Sequence, residues 1–295
     1  MARQWGPEGR QAAISFTFDN LGEASDVEFG RWPPHIPVGN HHSAIRDVPL
    51  ILKALDGFKV AFFIESWNLA VYPTTIKAIQ EAGHEIASHA VRHEIWCTLT
   101  PDQERDHLAT IVKDFARHGI EIRGLRPPGG IATPSSAEIL PEFGLTYISP
   151  LGVPTGLCDS GLAVLETRPG ASDVAFYSEA FAGYRNYKPG NHVLSPDDFV
   201  EGMLAEIEQV IGEGGCLATV CHPFYQSPTV ETTDPARIEA LVEVLKRIST
   251  DPRIWVATPS EIAEWMRTHP TQVHVLPNLD PPAYWNPSFF REIRR

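Results

Sequence analysis

The sequence predicts an α/β protein in which parallel strands alternate with helices. Three observations carry this. Short apolar runs rich in β-branched and aromatic residues alternate with longer amphipathic runs about seven times along the chain. No shift of composition or internal repeat divides its 295 residues, so a single domain is expected over 1–295, with a core over 12–267 and a tail over 268–295. Several strand-like runs end on a charged or imidazole side chain, and parallel α/β folds bind their ligands at the C-terminal ends of strands.

Ala12–Phe18 (AAISFTF) reads as a buried strand that ends at Asp19-Asn20. Leu21–Ser43 holds Glu23, Asp26, Glu28, His35, His41 and His42 among prolines and glycines, too long and polar for a plain connector. It is expected to be a functional loop in which His41 and His42 face solvent. Asp47 caps a helix over Val48–Leu55, with Pro49 in the first turn. Val60–Ile64 is a second buried strand, and Pro73–Ala82 is a helix opened by proline and closed by Gly83. Glu85–Ala87 is a strand leading through Ser88 to His89 and His93. If the chain turns helically there, the two imidazoles share a face and can bite one metal ion.

Thr100-Pro101-Asp102-Gln103 is a capping box for a helix reaching about His118. Ile122–Leu125 is a strand running into Arg126-Pro127-Pro128-Gly129-Gly130. Ser135 or Ser136 opens a helix to Phe143, and Leu145–Ile148 is the next strand. Between Pro150 and His192 one strand is expected, near Leu162–Glu166. Ser195 starts a helix that ends near Gly212–Gly215, and Cys216–Cys221 is a strand ending at His222-Pro223. A helix over Asp234–Ile248, a strand over Ile254–Ala257 and a helix over Pro259–Thr268 follow. Pro270–Arg295 is expected to wrap the surface.

The net charge of −13 argues against nucleic acid or an anionic membrane surface as a partner. Hydrophobic residues at 43% and charged residues at 21% are ordinary for a soluble globular protein. The N-terminal MARQWGPEGRQAA lacks a signal-peptide apolar stretch and no run is long enough to span a bilayer, so a cytoplasmic location is expected. Cys97, Cys158, Cys216 and Cys221 show no CxxC spacing and read as buried free thiols. The Leu21–Ser43 loop and the tail offer surfaces for a homo-oligomer, which nothing forces.

Taken together, the motifs resemble the polysaccharide deacetylase, or NodB-homology, superfamily, in the branch of cytoplasmic allantoinase-like and peptidoglycan-deacetylase-like members. Phe16–Asn20 (FTFDN) stands where that family has TFDD, Ser88–His93 (SHAVRH) matches its HxxxH motif, Arg126–Gly130 (RPPGG) fits RxPxG, and Val220–Pro223 (VCHP) fits its late histidine motif. Val60–Ala82 and Trp255–Trp265 are similar to further family stretches. The resemblance implies a distorted, TIM-like (β/α) barrel of about seven parallel strands. It also implies hydrolysis of a non-peptide carbon–nitrogen bond, with a sugar N-acetyl group as the leading substrate. A cyclic amide of the allantoin or imide type, opened with or without a metal, is the alternative, and a carbohydrate-binding pseudoenzyme is a third reading.

The implied machinery is Asp19 as general base, Arg126 holding it by a charge-assisted pair, and His222 as general acid. A divalent ion, zinc with cobalt or nickel as other choices, would sit on His89 and His93. The family's metal-binding second aspartate is Asn20 here, a weaker neutral ligand. Three outcomes are therefore open: Asn20 coordinates, Glu23 takes over, or no metal binds. Trp67, Trp96, Pro128, Tyr147 and Phe224, with Tyr225, are candidates to contact a small-molecule or carbohydrate substrate.

Overall fold

The computed structural model describes residues 4–280; the last part of the predicted tail, 281–295, lies outside them. The strands are β1 (Ala12–Ser15), β2 (Thr17–Asp19), β3 (Ala61–Ile64), β4 (Glu85–Ser88), β5 (Gly124–Leu125), β6 (Tyr147–Ile148), β7 (Gly156–Cys158), β8 (Ala163–Val164), β9 (Cys216–Ala218), β10 (Ile254–Val256) and β11 (His274–Leu276). The helices are α1 (Ala24–Glu28), α2 (Val48–Ala54), α3 (Asn68–Val71), α4 (Pro73–Glu81), α5 (Pro101–Arg117), α6 (Ser136–Glu142), α7 (Val174–Tyr177), α8 (Pro196–Glu213), α9 (Pro235–Thr250) and α10 (Pro259–Thr268).

One sheet runs β11-β7-β8-β6-β5-β4-β3-β2 and the other β10-β1-β9. The predicted Ala12–Phe18 strand breaks at Phe16, and that break links the two sheets. β1 pairs with β9 and β10, whereas β2 pairs with β3 and bridges to Cys221. The Ala218 N–H donates to the Glu166 carbonyl at 2.9 Å, joining the β8 end to β9 and closing the ring. The result is the distorted parallel (β/α) barrel expected. Two departures concern its edge. β7, in the segment where one strand was expected, runs antiparallel to β8, and β11 adds beside β7 from a tail expected only to wrap the surface.

Side chains alternate across the strands because successive residues point to opposite faces. Ala13, Ala61, Phe63, Ala87, Tyr147, Ala163 and Cys216 form one apolar cluster. Their neighbours Ile14, Phe62, Ile64, Ile86, Ile148 and Leu217 belong to the larger cluster shared with the helices. Small residues prevail in the first set, so the few large ones fill the ring. Gly124 shows how tightly: a Cβ there would come within 2.1 Å of the Tyr147 ring. The helices start where their caps demand, and Thr100, Ser195 and Thr258 each complete a capping box with the residue three positions on. No helix among the described residues is long and apolar enough to cross a membrane.

Candidate active site

Strand ends deliver the polar side chains into one cavity of about 760 Å³, lined by Asp19, Asn20, His89, His93, Arg126 and His222 among others. Asp19 closes β2, and its backbone N–H donates to the Cys221 carbonyl at 2.8 Å. Arg126 follows β5. Its guanidinium donates to Asp19 Oδ1 and to Thr17 Oγ1, both at 2.6 Å, and to Ser149 Oγ at 2.9 Å. It also lies over the Phe63 ring, 4.1 Å from the centroid. Asp19 and Arg126 are buried, so this charge-assisted pair fixes the carboxylate in place.

His89 and His93 follow β4, but no helix holds them. Ala90 and His93 take left-handed backbone, at φ 69° and 77°. Glu94 ties the turn by accepting the Val91 N–H at 3.0 Å and the Arg92 N–H at 3.0 and 3.1 Å. This corrects the helical pairing expected from the spacing: a strained turn, costing about 1–3 kcal/mol per left-handed residue, brings the ring centroids to 5.0 Å. His89 Nδ1 donates to the Arg126 carbonyl at 2.9 Å, which fixes its tautomer and leaves the Nε2 lone pair free. Burial pulls the His89 pKa down to about 3, and burial with the neighbouring His89 holds His93 well below the ordinary imidazole value. Both rings are thus neutral, the form that ligates metals.

The carboxylate beside them is neither residue expected from the sequence. Glu65, directly after β3, places an oxygen within 4.8 Å of the ligand nitrogens of His89 and His93. Its Oε2 accepts the Leu21 N–H at 3.2 Å and the Asn68 Nδ2–H at 2.9 Å, while Oε1 is buried without a partner. Burial pushes its carboxyl up to about 8 against the pull of those amide donors. Glu23 is spent elsewhere, because one oxygen accepts the Gly39 N–H at 2.5 Å and the other accepts the Tyr72 hydroxyl. Asn20 does line the cavity, in left-handed backbone at φ 63°, with a buried Oδ1 that has no partner. Two buried atoms of the His89, His93 and Glu65 cluster, Glu65 Oε1 and His93 Nδ1, have no hydrogen-bond partner, as the donors of a divalent cation site would not. The residues fit a divalent ion, with Glu65 the carboxylate donor.

His222 follows β9. Its Nδ1 lies 2.7 Å from Asp173 Oδ1, and its backbone N–H donates to Asp173 Oδ2 at 2.6 Å. Burial works to lower the His222 pKa, but the charge and hydrogen bond of buried Asp173 overcome it and the net direction is upward.

Among the candidates for substrate contact, Pro128, Phe224 and Tyr225 line the cavity. Trp96 is fully buried and donates its indole N–H to Glu104 at 3.1 Å. Tyr147 is fully buried among the inward barrel residues and donates its hydroxyl to Glu85 at 2.6 Å. Trp67 precedes α3 and does not line the cavity. Trp96 and Tyr147 are packing residues: their rings are apolar enough for the core, and their buried polar tips found partners there. His41 and His42, expected to face solvent, instead line the cavity with their rings stacked at 4.5 Å.

Sequence reasoning missed Glu65 and Asp173. Glu65 carried a usable signal, a carboxyl at the end of a buried strand, the same feature that singled out Asp19. Asp173 carried none, since it sits in a Gly- and Pro-rich stretch without periodicity.

Comparison with known proteins gives a consistent picture. Residues 8–148 match the family model of polysaccharide deacetylases. A structure from Mycobacterium smegmatis described as a polysaccharide deacetylase superposes with a TM-score of 0.78 at 26% identity, covering 97% of this chain and 99% of that one. An allantoinase structure gives a TM-score of 0.67 at 19% identity over 90% of this chain and 93% of its own. A family 4 carbohydrate esterase pseudoenzyme from Bacillus anthracis gives 0.53 at 17% identity, over 85% of this chain and 65% of its own. These last two likenesses speak for the fold alone. No curated protein matches the chain in sequence.

Proposed function

We propose, for a chain that belongs to the polysaccharide deacetylase superfamily, that it hydrolyses a non-peptide carbon–nitrogen amide bond in the cavity at the strand ends. The observation that carries this is the convergence on one cavity of an Arg-held carboxylate, a carboxylate-backed imidazole and two histidines that have a buried glutamate behind them. Amide hydrolysis needs an attacking water stripped of a proton, a stabilised oxyanion and a proton for the leaving nitrogen.

His89, His93 and Glu65 would hold a divalent ion of the zinc type. Such an ion supplies Lewis acidity, polarising the carbonyl and lowering the pKa of bound water from about 15.7 towards about 7. Asp19, held by Arg126, takes the proton from the attacking water. His222 hands a proton to the departing nitrogen, and Asp173 keeps that imidazole charged and oriented. Retention of the Asp19–Arg126 pair and of His222 in the lining of one cavity favours an enzyme over the pseudoenzyme reading.

The substrate follows less directly from this chemistry than the bond does. The family favours an N-acetyl group on a sugar-like molecule, stacked on Phe224 and Tyr225. A second reading, opening of a cyclic amide, is favoured by one observation: an imidazole pair at the cavity wall that the hydrolytic steps do not use. The test is an amine- and carboxylate-release screen over N-acetyl sugars and cyclic imides with zinc, cobalt or nickel added. Turnover of either class, lost in Asp19→Asn, is the expected result. Undiminished turnover in that variant refutes the assigned base.

A further inference from the structure

His222, the proposed donor to the leaving nitrogen, has aromatic side chains against it. The Phe224 and Tyr225 rings lie 5.1 and 5.6 Å from the imidazole, centroid to centroid, and 4.8 Å from each other. All three line the cavity, as do Phe181 and Tyr184, whose rings pair at 6.3 Å. The group carried by a nitrogen that His222 protonates is therefore within reach of these rings. Several polar side chains elsewhere in the lining are engaged inside the protein. Arg31 donates to Asp26 and Ser25, Arg168 to Glu166 and Glu213, Thr167 to the Pro150 carbonyl, and Ser227 to Asp47.

A sugar can lay one face on an aromatic ring, but its hydroxyls also need polar partners. Each hydroxyl buried without one costs about 1–3 kcal/mol, and a wall whose polar groups are engaged elsewhere supplies few. A hydrocarbon ring needs no such partner and gains from edge or offset contact with aromatic side chains. We propose that the leaving nitrogen carries an aromatic group, so that the substrate is the N-acyl derivative of an aryl- or arylmethylamine. Its ring lies against Phe224 and Tyr225. This rests on the amide-hydrolase reading and departs from it in the group on nitrogen. Water adds to the amide carbonyl carbon and the C–N bond breaks. The carboxylate keeps the water oxygen, and both water protons end on the nitrogen, which leaves as an ammonium.

The test compares N-benzylacetamide, its isomer N-methylphenylacetamide and N-acetylglucosamine on the full-length protein with zinc added, by binding calorimetry and by turnover. The isomer has the same atoms but carries its ring on the carbonyl side. Benzylamine is no better a leaving group than the amine of a sugar, so a preference for its amide reports binding. Wild-type protein is expected to bind N-benzylacetamide at least about tenfold more tightly than either of the others. Phe224→Ala should weaken that binding by about tenfold, and Phe224→Tyr, which keeps a ring, by less than about threefold. Equal or weaker binding of N-benzylacetamide against either control, no binding of any of the three, or unchanged binding in Phe224→Ala would overturn the proposal. The wild-type comparison stands even if the alanine variant fails to fold. Selective binding of N-benzylacetamide without hydrolysis of any amide would sink the hydrolase reading and spare the ring site; hydrolysis of the sugar amide without that preference would do the opposite.

Discussion

The cavity holds two imidazole–carboxylate pairs that look alike and work differently. His222–Asp173 and His42–Asp47 are closed by bonds of 2.7 and 2.8 Å to carboxylates that are both fully buried. Asp173 serves mostly His222, through its ring and its backbone N–H, with Gln226 at 3.3 Å as a further donor. Asp47 spreads its charge over His42, Thr233, Ser227 and Arg46, and those hydrogen bonds carry its pKa down to about 2 although burial pushes the other way. A carboxylate with one main client tunes that client. A carboxylate with four ties segments together, here 42–47 to 227–233. Isolation suits the first pair to the proton donation proposed for it; sharing makes the second a fixed wall.

The sharpest break of that contrast is upstream of both pairs. Asp19→Asn removes the assigned base and should lower kcat by about 10²- to 10⁴-fold, with an unchanged circular dichroism spectrum as the control for folding.

Asp173→Asn comes next. His222 must be protonated to donate, so activity should fall as pH rises through its raised pKa. Removing the Asp173 charge should move that limb to lower pH and cost about 10²-fold in kcat, read from a pH–rate profile. The same shift is a stability term. A raised folded-state pKa stabilises fully below the ordinary value of 6.5, and that stabilisation is lost as pH climbs through the folded value. Denaturation midpoints above and below pH 6.5 should therefore converge in the variant.

Glu65→Gln tests the metal cluster apart from turnover. Affinity for zinc should fall by about 10- to 100-fold or more. With its carboxyl pushed up to about 8, wild-type Glu65 must release a proton when an ion binds at pH 7. Calorimetry in buffers of different ionisation enthalpy should show that release in the wild type and a smaller one in the variant.

Thr233→Ala is the mildest change. It removes one of several donors to Asp47 and should cost about 0.5–1.5 kcal/mol in denaturant unfolding, with His222-dependent chemistry unchanged.

Some of this was legible in the chain. Alternating apolar runs, a capping box at Thr100, and polar residues at the predicted strand ends were enough for a parallel α/β fold and to single out Asp19, His89, His93, Arg126 and His222, while the closed barrel came with the family resemblance. Glu65 was readable by the same rule but lost attention to Asn20 and Glu23, which stand closer to the motif. The rings of Trp96, just past the His93 turn, and of Tyr147, on β6, were misplaced because nearness to a motif along the chain does not say whether a large ring faces the cavity or the core.

The sequence by itself determined the order of elements and which strand ends carry chemistry, because period, caps and chain reversals are local properties. Only the tertiary structure decided that Glu65 rather than Glu23 meets the histidines, that Asp173 backs His222, and which nitrogen of His89 carries the proton. Glu65, Asp173 and the His89 proton depend on partners tens of residues apart in the chain, and all of them on burial that leaves each polar atom with one place to bond.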